Sequence, residues 1–541
     1  MIRRIIERIE DAPVTFAQTA FGFLGIVAIR FFFENFSSPL QSFPAVFDLL
    51  TLVQYALFYL GAYLSSVLVL RIFIPERVTR IAKVVLVLLP VMWLPPLIDL
   101  ARSGGAGYPM AYIVANGGAL FAAFFTMGGS AFFGGVTTGI KIELLILIIA
   151  FFSYVFLKTG RVFRALAAAA AGYALIFVWL ALPSVIVLVA AAVGGSGGGD
   201  PTIFLLGQFA AGHLLGHFVR SPGTLPYIEA AGTLFDLGMA NVLYVIDLAL
   251  IAAWAALYRP GFLGRLLGNW RPERAVSYFL TIAIGLFAAV KLQGVQPVAG
   301  WMDALSLAIL FLSFLFAWLF AVAVNDIVDI DIDRVSNTER PLAAGAMTES
   351  EMRAAGAFFL AWSFLGAYLV GYWAVFAMMA YTAAYYVYSA PPLRLKRVPA
   401  VGTFLIALAN LAAAAAGFYF ASRSPFVSAF PPQLFLLVLV FFTLVTGVKD
   451  IKDIEGDRAA GITTVPVIFG PRAGKVVVGA ALAAAFLSVP VILRMPALFV
   501  PSFIAAALGY YLVVAESYSE RRIFILYFAY AATIGGMLWW R

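Results

Sequence analysis

Two short acidic segments hold the side chains best suited to chemistry. NDIVDIDIDR spans residues 325–334, KDIKDIEGDR spans residues 449–458, and each follows a long apolar run. In both segments three aspartates repeat with the spacing i, i+3, i+7, which places them on one face of a helix. They are Asp326, Asp329 and Asp333 in the first segment and Asp450, Asp453 and Asp457 in the second.

Carboxylates gathered so densely repel one another unless they are protonated or bound to a cation. Asp331 falls off the face that its neighbours share, so it is left out of the predicted cluster. If the two faces meet across a cavity, Mg²⁺ would remove the conflict, because it prefers oxygen ligands and is often held by carboxylates together with substrate phosphates. The spacing therefore predicts a Mg²⁺ site formed by the six aspartates.

The loops between the two acidic segments are rich in cations. Arg340 follows the first segment in TERPLAAG, and the stretch YSAPPLRLKR at 388–397 contributes Arg394, Lys396 and Arg397. Cations beside metal-binding carboxylates are suited to hold a diphosphate. A diphosphate leaves readily once metal and cations neutralise its charge. The residues therefore predict cleavage of a bond between carbon and a diphosphate oxygen.

Aromatic side chains follow in the neighbouring apolar runs, and they could line a cavity for an apolar substrate. Such rings would stabilise an allylic carbocation through cation–π contacts. The candidates are Tyr381, Tyr385, Tyr386, Tyr388 and Phe420.

A plainer interpretation of the acidic segments must be weighed. Ionisable residues at membrane depth also mark ion or proton pathways, and acidic loops are often solvated helix ends. Two clusters with identical spacing, separated by basic loops, favour a shared site. The aromatic residues are less specific, since Phe and Tyr in membrane spans more often pack or face lipid.

Composition identifies the elements that must position these residues. The chain has 541 residues, of which 63% are hydrophobic and 11% charged, with a mean hydropathy of +0.99. Repeated apolar runs are long enough to cross a bilayer core of about 30 Å as helices, and they lack the alternation of a membrane barrel. Cysteine is absent, which excludes disulfides and thiolate metal sites. We predict an all-α polytopic membrane protein.

The predicted spans fall into two groups. Residues 1–13 form a basic amphipathic helix that we expect on the membrane surface, residues 14–258 an N-terminal transmembrane domain, and residues 259–275 a linker. The N-terminal spans are 14–35, 49–74, 84–100, 142–158, 165–193 and 233–257, with a Gly-rich hairpin or re-entrant segment at 110–139. Nine spans follow within 276–541: 276–292, 303–324, 353–371, 373–389, 400–421, 433–448, 473–492, 497–515 and 522–540.

The distribution of charge predicts the orientation. Basic residues concentrate in the loops that also carry both acidic segments, whereas the opposite loops offer little beyond Arg423 and Arg494. By the positive-inside rule the acidic segments face the cytoplasm. The net charge of +8 is then explained by topology, and no nucleic-acid partner is expected.

These segments resemble the motifs of the UbiA superfamily of intramembrane prenyltransferases. Asn325 with the first three aspartates resembles the family's first aspartate-rich motif, and the second three, continuing as GDRAAGITTVPVIFG, resemble the second motif. YSAPPLRLKR resembles the Tyr- and Lys-bearing loop between helices four and five, and RPLAAG the Arg-Pro segment after the first motif. The resemblance covers roughly residues 270–541 and implies a nine-helix bundle.

The resemblance also implies an activity and a set of site residues. It implies transfer of a prenyl group, geranylgeranyl or longer, from a prenyl diphosphate to an acceptor, with Mg²⁺ held by both motifs. It assigns Arg340, Lys396, Arg397 and Tyr388 to catalysis and Asn325, Arg394, Asn410 and Arg274 to substrate binding. Many members begin the first helix with Arg-Pro and a nearby Asn, whereas RPERAVSY has Arg271, Pro272 and Arg274 without Asn. Asn410 is also well suited to packing between helices.

The acceptor is the least determined part of this prediction. The motifs are most similar to branches that make digeranylgeranylglyceryl phosphate or chlorophyll. Aromatic acceptors of quinone biosynthesis, or internal capture of the carbocation as in a terpene cyclase, are the alternatives within the superfamily. A transporter or lipid-handling protein with a degenerate C-terminal half is the alternative from another class, although a relic would have no reason to keep six carboxylates near the bilayer.

No family resemblance is identified for the N-terminal half. His213 and His217 share one helix face at i, i+4 spacing, which suits a metal, but no third ligand lies at motif spacing. Arg30, Glu143, Asp236 and Asp247 lie within its spans, where ionisable groups usually face a bundle interior or a partner. A scaffold that docks on the catalytic bundle and a substrate-delivery module are both consistent with these features.

Overall fold

The structure is a computed structural model that describes residues 2–37, 48–103, 112–128, 136–194, 200–213, 215–216, 227–424, 426–452, 454–459 and 461–540. All regular secondary structure in these ranges is helical. Fourteen of the helices are long and apolar enough to cross a membrane. Apolar runs form helices because, in lipid, each backbone N–H and C=O must bond within its own segment. The prediction of an all-α integral membrane protein is confirmed.

The chain folds into two compact units. The first comprises Met1–Leu215, Ser221–Leu263 and Gly300–Leu305, and the second Gly216–Arg220, Gly264–Ala299 and Ser306–Arg541. The division near residue 263 falls inside the stretch predicted as a linker, where a short helix, Phe262–Gly268, has formed. The limits of functional domains remain a prediction.

The first unit contains six of the membrane-length segments. Its helices are α1 (Ile2–Asp11), α2 (Phe16–Ser37), α3 (Leu49–Phe73), α4 (Val78–Leu88), α5 (Leu94–Ser103), α6 (Gly117–Phe125), α7 (Thr138–Thr159), α8 (Val162–Leu180), α9 (Leu182–Gly194), α10 (Pro201–Ala210) and α11 (Tyr227–Tyr258), with a 3₁₀ turn at Leu89–Trp93. The predicted span 165–193 is wrong as a single helix. It breaks at Ala181, because Pro183 lacks the N–H that would continue the hydrogen-bond ladder.

Polar contacts fix the amphipathic helix α1 within this unit. Its Glu10 is buried and accepts hydrogen bonds from the Tyr154 hydroxyl at 2.8 Å and the Lys158 ammonium at 2.9 Å. The Lys83 ammonium donates to the carbonyls of Glu10 and Ala12. The apolar periodicity of α1 is thus combined with a buried ion pair.

The histidine pair can be followed only at its first member. His213 Nδ1 lies 2.9 Å from Asp303 Oδ2, and its backbone N–H donates to Asp303 Oδ1 at 2.6 Å. His217 lies outside the described residues, so a shared metal stays untested. Of the other ionisable groups, Asp236 accepts from the Thr51 hydroxyl at 2.7 Å, and Arg30 forms a buried ion pair with Glu34 at 3.1 Å.

Each of the nine spans predicted for the second unit has a helix, and eight of the nine are among the fourteen membrane-length segments found in the described residues; the helix at Tyr372–Ser389 is not among them. After α12 (Phe262–Gly268), the unit's long helices are α13 (Pro272–Gln293), α14 (Trp301–Val328), α16 (Glu349–Val370), α17 (Tyr372–Ser389), α18 (Val401–Ser422), α19 (Pro432–Val445), α21 (Val465–Leu493), α22 (Phe499–Val514) and α23 (Glu520–Trp539). Two short helices, α15 (Ile330–Ser336) and α20 (Ile454–Ala459), carry parts of the aspartate segments. A buried apolar cluster that includes Phe441, Leu482, Phe486, Ala505 and Ile534 unites α19, α21, α22 and α23.

Helices α13 and α18 touch through their backbones. A Cβ atom on Gly285 would come within 1.9 Å of the Ala414 carbonyl oxygen, and one on Gly417 within 1.9 Å of the Ile282 carbonyl oxygen. Small residues allow this approach, which replaces side-chain interdigitation as the source of packing in lipid. The contact holds in place the two helices that carry Thr281 and Asn410.

Neither aspartate segment is one regular helix. α14 ends at Val328, and Asp329 adopts φ −100°, ψ 14° before α15 begins. In the second segment Asp450 lies in a 3₁₀ turn at Thr446–Ile451, while Asp457 lies in α20. The prediction of a single helical face is therefore wrong for the second segment. Gly447 and the β-branched residues beside it favour the helix weakly.

Candidate active site

Asp326 is held inside the second unit by three donors. It is only 1% exposed, and it accepts from Asn269 Nδ2 at 2.6 Å, from Arg271 Nη2 at 2.8 Å and from Arg340 Nη1 at 3.4 Å. Burial lowers the pKa of Arg271 to about 10, although the charge of Asp326 opposes the shift. Asp326 thus fixes two arginines, which come from before and after the motif.

Asp333 shares one of these arginines. Its carboxylate forms an ion pair with Arg340 and accepts from Asn337 Nδ2 at 3.0 Å. Burial raises the pKa of Asp333, while Arg340 opposes the shift. Because Arg340 contacts both Asp326 and Asp333, the segment RPLAAG is fastened to the first aspartate segment.

Asp329 binds the basic loop that follows α17. Arg394 and Lys396 each form an ion pair with one of its carboxylate oxygens. Asn325 reinforces the link, since its Oδ1 accepts from the Ser389 hydroxyl at 3.3 Å and lies 3.5 Å from the Lys396 ammonium. Burial lowers the pKa of Lys396, and Asp329 opposes the shift. The structure thus joins two motifs that are more than sixty residues apart in sequence.

Two of the arginines that bind the aspartates have unusual backbone conformations. Arg271 has φ 51° and Arg394 has φ 43°, values in the left-handed region that residues with a Cβ rarely adopt. Such residues cost on the order of 1–3 kcal/mol each and persist where the surrounding contacts impose them. Both side chains make ion pairs with motif aspartates, which supplies those contacts.

The second aspartate segment faces the same space. Lys449 Nζ lies 2.5 Å from the Tyr388 hydroxyl oxygen. Asp450 and Asp457 line the cavity described next, whereas Asp453 lies outside the described residues.

A cavity of about 990 Å³ opens between these segments within the second unit. Among the described residues, seven acidic and six basic side chains line it. The acidic residues are Asp329, Asp331, Asp333, Asp450, Glu455, Asp457 and Glu520, and the basic residues are Arg271, Arg274, Arg340, Lys396, Lys449 and Lys452. The rest of the wall is largely apolar and aromatic, with Tyr278, Val322, Trp318, Tyr385, Tyr388 and Phe442. One cavity therefore combines a strongly charged region with an apolar one.

Some of the predicted aromatic residues do not reach this cavity. Tyr385 and Tyr388 line it, but Tyr381 is absent from the wall and packs edge-on against Tyr278 and Phe314 at ring-centre distances of 5.1 and 5.2 Å. Tyr386 is 50% exposed. Phe420 is fully buried in the packing of α18 and is not part of the wall.

Three predicted site residues also lie off the wall. Asp326 sits behind it, bound to Asn269, Arg271 and Arg340. Arg394 reaches Asp329 without lining the cavity, and Arg397 is exposed, with its carbonyl accepting from the Thr463 hydroxyl at 3.0 Å. The other described candidates line the cavity: Arg274, Asn325, Asp329, Asp333, Arg340, Tyr388, Lys396, Asn410, Asp450 and Asp457.

Three residues at or behind this wall were not assigned to the site from the sequence: Asn269, Arg271 and Glu520. Asn269 and Arg271 stand directly before α13, so the Asn missing from RPERAVSY is supplied two residues upstream of Arg271. Glu520 binds Arg274 at 2.8 Å and Lys452 at 2.7 Å, and it begins the last helix. The Asn before Arg-Pro was a usable signal, whereas no local pattern distinguishes Glu520.

The donor set is compatible with Mg²⁺. Among the residues that the structure describes, no three acidic or histidine side chains already converge as a metal cage. Mg²⁺ usually keeps several waters and takes one or two carboxylates together with substrate phosphates, so a complete protein cage is not required. Asp329 and Asp333 from one segment, and Asp450 and Asp457 from the other, offer oxygen ligands to one cavity.

Comparisons with known proteins find similarity to one family within the second unit. Residues 278–534 match the model of the UbiA prenyltransferase family, which confirms the resemblance for this part of the chain. Chlorophyll synthase of Oryza sativa subsp. japonica is 33% identical over 163 residues, which are 28% of this chain and 42% of the relative. Digeranylgeranylglyceryl phosphate synthase of Pyrococcus furiosus is 31% identical over 188 residues, 34% of this chain and 61% of the relative. The chain thus spans about two fifths to three fifths of these relatives.

A solved structure also aligns with half of the chain. It is a UbiA homolog from Archaeoglobus fulgidus bound to DMAPP and Mg²⁺, with 22% identity and a TM-score of 0.41. The alignment covers 51% of this chain and 98% of that one.

Proposed function

We propose that the second unit, which carries the UbiA-family match, is an intramembrane prenyltransferase. It would move a prenyl group, geranylgeranyl or longer, from a prenyl diphosphate to a hydrophobic acceptor. The observation that supports this is one cavity in which both aspartate segments and a ring of Arg and Lys side chains adjoin apolar and aromatic walls. An amphiphile with a diphosphate head and a hydrocarbon tail matches that division.

The charged end of the cavity would hold the diphosphate. Asp329, Asp333, Asp450 and Asp457 would hold Mg²⁺, which when bound neutralises the diphosphate and makes it a better leaving group. Arg340 and Lys396 are oriented by ion pairs with motif aspartates, so they are fixed beside the cavity before substrate arrives. Fixed donors of this kind stabilise charge that develops as the carbon–oxygen bond breaks.

The overall reaction balances without any further reagent. The bond between the first prenyl carbon and the diphosphate oxygen breaks, and that carbon bonds to the acceptor. The acceptor loses one proton, so the products are the prenylated acceptor, diphosphate and a proton. The aromatic wall, which includes Tyr278 and Trp318, would favour a cationic allyl group over water.

The finer assignments extend this proposal. The charged end would face the cytoplasm, because the loops that carry it are the basic ones. The acceptor would be closest to those of the digeranylgeranylglyceryl phosphate and chlorophyll synthases, which are among the curated relatives. Aromatic acceptors are the alternative, since homogentisate phytyltransferase of Arabidopsis thaliana is 27% identical over 215 residues.

Diphosphate release tests the proposal. The full chain in nanodiscs would be incubated with geranylgeranyl diphosphate and MgCl₂, with and without acceptors, and both diphosphate and prenylated product would be measured. We expect release that depends on Mg²⁺ and rises with a suitable acceptor. Release with a cyclised hydrocarbon as the only product would indicate a cyclase, and no binding or release at all would refute the proposal.

An exposed carboxylate serves as control for the metal ligands. Asp329→Asn should abolish release, because it removes both a metal ligand and the partner of Lys396. Glu349→Gln changes a half-exposed carboxylate that binds only the neighbouring Arg353 on the helix surface, and it should leave release within twofold. Equal effects from both variants would contradict the site.

A further inference from the structure

The cavity has a second polar level, below its charged end. Ser277 on α13, Asn410 on α18 and Tyr527 on α23 all line it. Tyr527 lies seven residues along its helix from Glu520, which corresponds to about 10 Å at 1.5 Å per residue. None of the three side chains carries a charge.

Among the described residues, none meets the distance and angle of a full hydrogen bond with the Tyr527 hydroxyl, although Tyr527 is only 7% exposed. Its polar neighbours are Ser277 and Thr281. The Tyr527 ring packs against two phenylalanines, with centre-to-centre distances of 5.9 Å to Phe441 and 6.1 Å to Phe442. A buried hydroxyl without a partner is destabilising, so a fixed one at a cavity wall indicates a bound group that completes it.

Asn410 is held at the same cavity by one bond within α18 and one bond from α13. Its Oδ1 accepts from the Thr281 hydroxyl at 3.1 Å, and its Nδ2 donates to the Ile406 carbonyl at 2.9 Å. The backbone contact at Gly285 and Gly417 sets the spacing of α13 and α18 around this pair. Both interpretations made from the sequence therefore apply to Asn410, because its side chain packs between helices and also reaches the cavity.

An ion pair lies at the level above, where the charge of Arg274 is neutralised by Glu520. Arg274, one turn before Ser277 on α13, forms an ion pair with Glu520, two turns before Tyr527 on α23. The pair separates the uncharged level from the aspartate segments along both helices. Ser277, Asn410 and Tyr527 themselves offer no positive charge to a phosphate or carboxylate.

We infer that Ser277, Asn410 and Tyr527 form the acceptor subsite and take an uncharged hydroxyl or carbonyl group of the second substrate. This rests on the proposed prenyl transfer. The prenyl tail cannot satisfy Tyr527, because a hydrocarbon has no hydrogen-bonding atom. The diphosphate belongs with the cations. The remaining reactant is the acceptor, and an uncharged polar group of it would be anchored here while its reacting atom meets the first prenyl carbon.

A matched pair of tyrosines on one helix allows a sharp test. Tyr527→Phe removes only the hydroxyl at the cavity. Tyr530→Phe makes the same change one turn away, where the residue is equally buried at 7% and its hydroxyl lies 2.8 Å from the Ser502 hydroxyl, off the cavity wall. Both variants keep their rings, and thermal unfolding followed by fluorescence would show whether either is destabilised.

The full chain in nanodiscs would be assayed with geranylgeranyl diphosphate and two acceptor probes. Geranylgeranylglyceryl phosphate presents an alcohol, and homogentisate presents phenols. We expect at least one to be prenylated. Tyr527→Phe should raise KM for that acceptor at least fivefold while leaving KM for geranylgeranyl diphosphate within twofold, and Tyr530→Phe should leave both within twofold.

Three results would overturn the assignment: equal effects of the two variants, a parallel rise in KM for the prenyl diphosphate, or diphosphate release without transfer to either probe. Failure of the proposed function is distinct, because the wild-type chain would then neither bind geranylgeranyl diphosphate nor release diphosphate from it. Ser277→Ala adds a second check and should raise the same acceptor KM.

Discussion

The Lys449 ammonium lies 2.5 Å from the Tyr388 hydroxyl oxygen and 4.4 Å from the centre of the Tyr388 ring. The ammonium therefore lies at the hydroxyl end of the ring, and the Tyr388 hydroxyl is already bound to a fixed cation. Tyr388, from the stretch 388–397, orients Lys449, the first residue of the second aspartate segment, at the cavity.

This relationship predicts unequal effects of two variants. Lys449→Gln should slow release of diphosphate about 10²-fold, as expected for loss of a fixed donor to developing charge. Tyr388→Phe should slow it less than about tenfold, because the ring stays and a neutral hydrogen bond contributes only about 1 kcal/mol. Single-turnover rates with geranylgeranyl diphosphate would measure both. A larger loss from Tyr388→Phe would return the tyrosine hydroxyl to a direct catalytic role.

Asp326 and Asp329 should differ in their response to Mg²⁺. Asp326 sits behind the cavity wall and holds Arg271 and Arg340, so Asp326→Asn should lower the rate and the melting temperature. It should leave the Mg²⁺ concentration for half-maximal activity within twofold. Asp329→Glu, which keeps a carboxylate at the wall in altered geometry, should raise that concentration at least fivefold. Titrations of activity with MgCl₂ give both values, and a shift for Asp326→Asn as large as for Asp329→Glu would make Asp326 a ligand. EDTA should abolish activity, and added Mg²⁺ should restore it.

Variants of Lys396 and Arg521 distinguish a role in catalysis from a role in membrane topology. Both belong to the basic loops, but Lys396 binds Asp329 at the cavity, whereas Arg521 is exposed and off the wall. Lys396→Gln should lower the rate at saturating prenyl diphosphate at least tenfold, since loss of such a donor typically costs roughly 3–4 kcal/mol. Arg521→Gln should change it less than twofold. Small, equal effects would mean that the 388–397 loop only obeys the positive-inside rule.

The contact between α13 and α18 predicts a strong effect on stability. Gly417→Ala would place its Cβ 1.9 Å from the Ile282 carbonyl oxygen, and relieving that overlap requires the helices to separate. Overpacking typically costs about 1–3 kcal/mol, so the melting temperature should fall by several degrees. Gly536→Ala on α23 is the control, because nothing lies within 4 Å of its new Cβ. Thermal unfolding in nanodiscs would compare them, and equal melting temperatures would contradict the close approach.

The helices of the second unit were predictable because their apolar runs are separated by charged or glycine-containing loops. All nine predicted spans have a helix, and the association of YSAPPLRLKR with the first aspartate segment is seen in the contacts of Lys396 and Arg394. Helix interruptions were not predictable from spacing alone. Asp329 and the 3₁₀ turn at Thr446–Ile451 depart from the regular helix that an i, i+3, i+7 pattern assumes.

The partners in the ion pairs could not be predicted from the sequence, for a different reason. Spacing shows which side chains share a face, but it does not show which distant residue meets them. Glu520 lies 246 positions from Arg274, and Asn269 lies 57 positions from Asp326. Tyr527 is one of many tyrosines in apolar runs, and only the packing of α23 against the cavity distinguishes it from Tyr530.

The cavity wall itself has a consequence for how a substrate enters. The chain as a whole carries a net charge of +8, yet among the described residues the wall combines seven acidic with six basic side chains, a net charge of −1. A bare polyanion would therefore gain no long-range attraction from this wall, because steering depends on the sum of nearby charges. A diphosphate that arrives already neutralised by its own divalent counterions meets no such barrier. Binding should then follow the concentration of the magnesium salt of the substrate rather than that of the free anion.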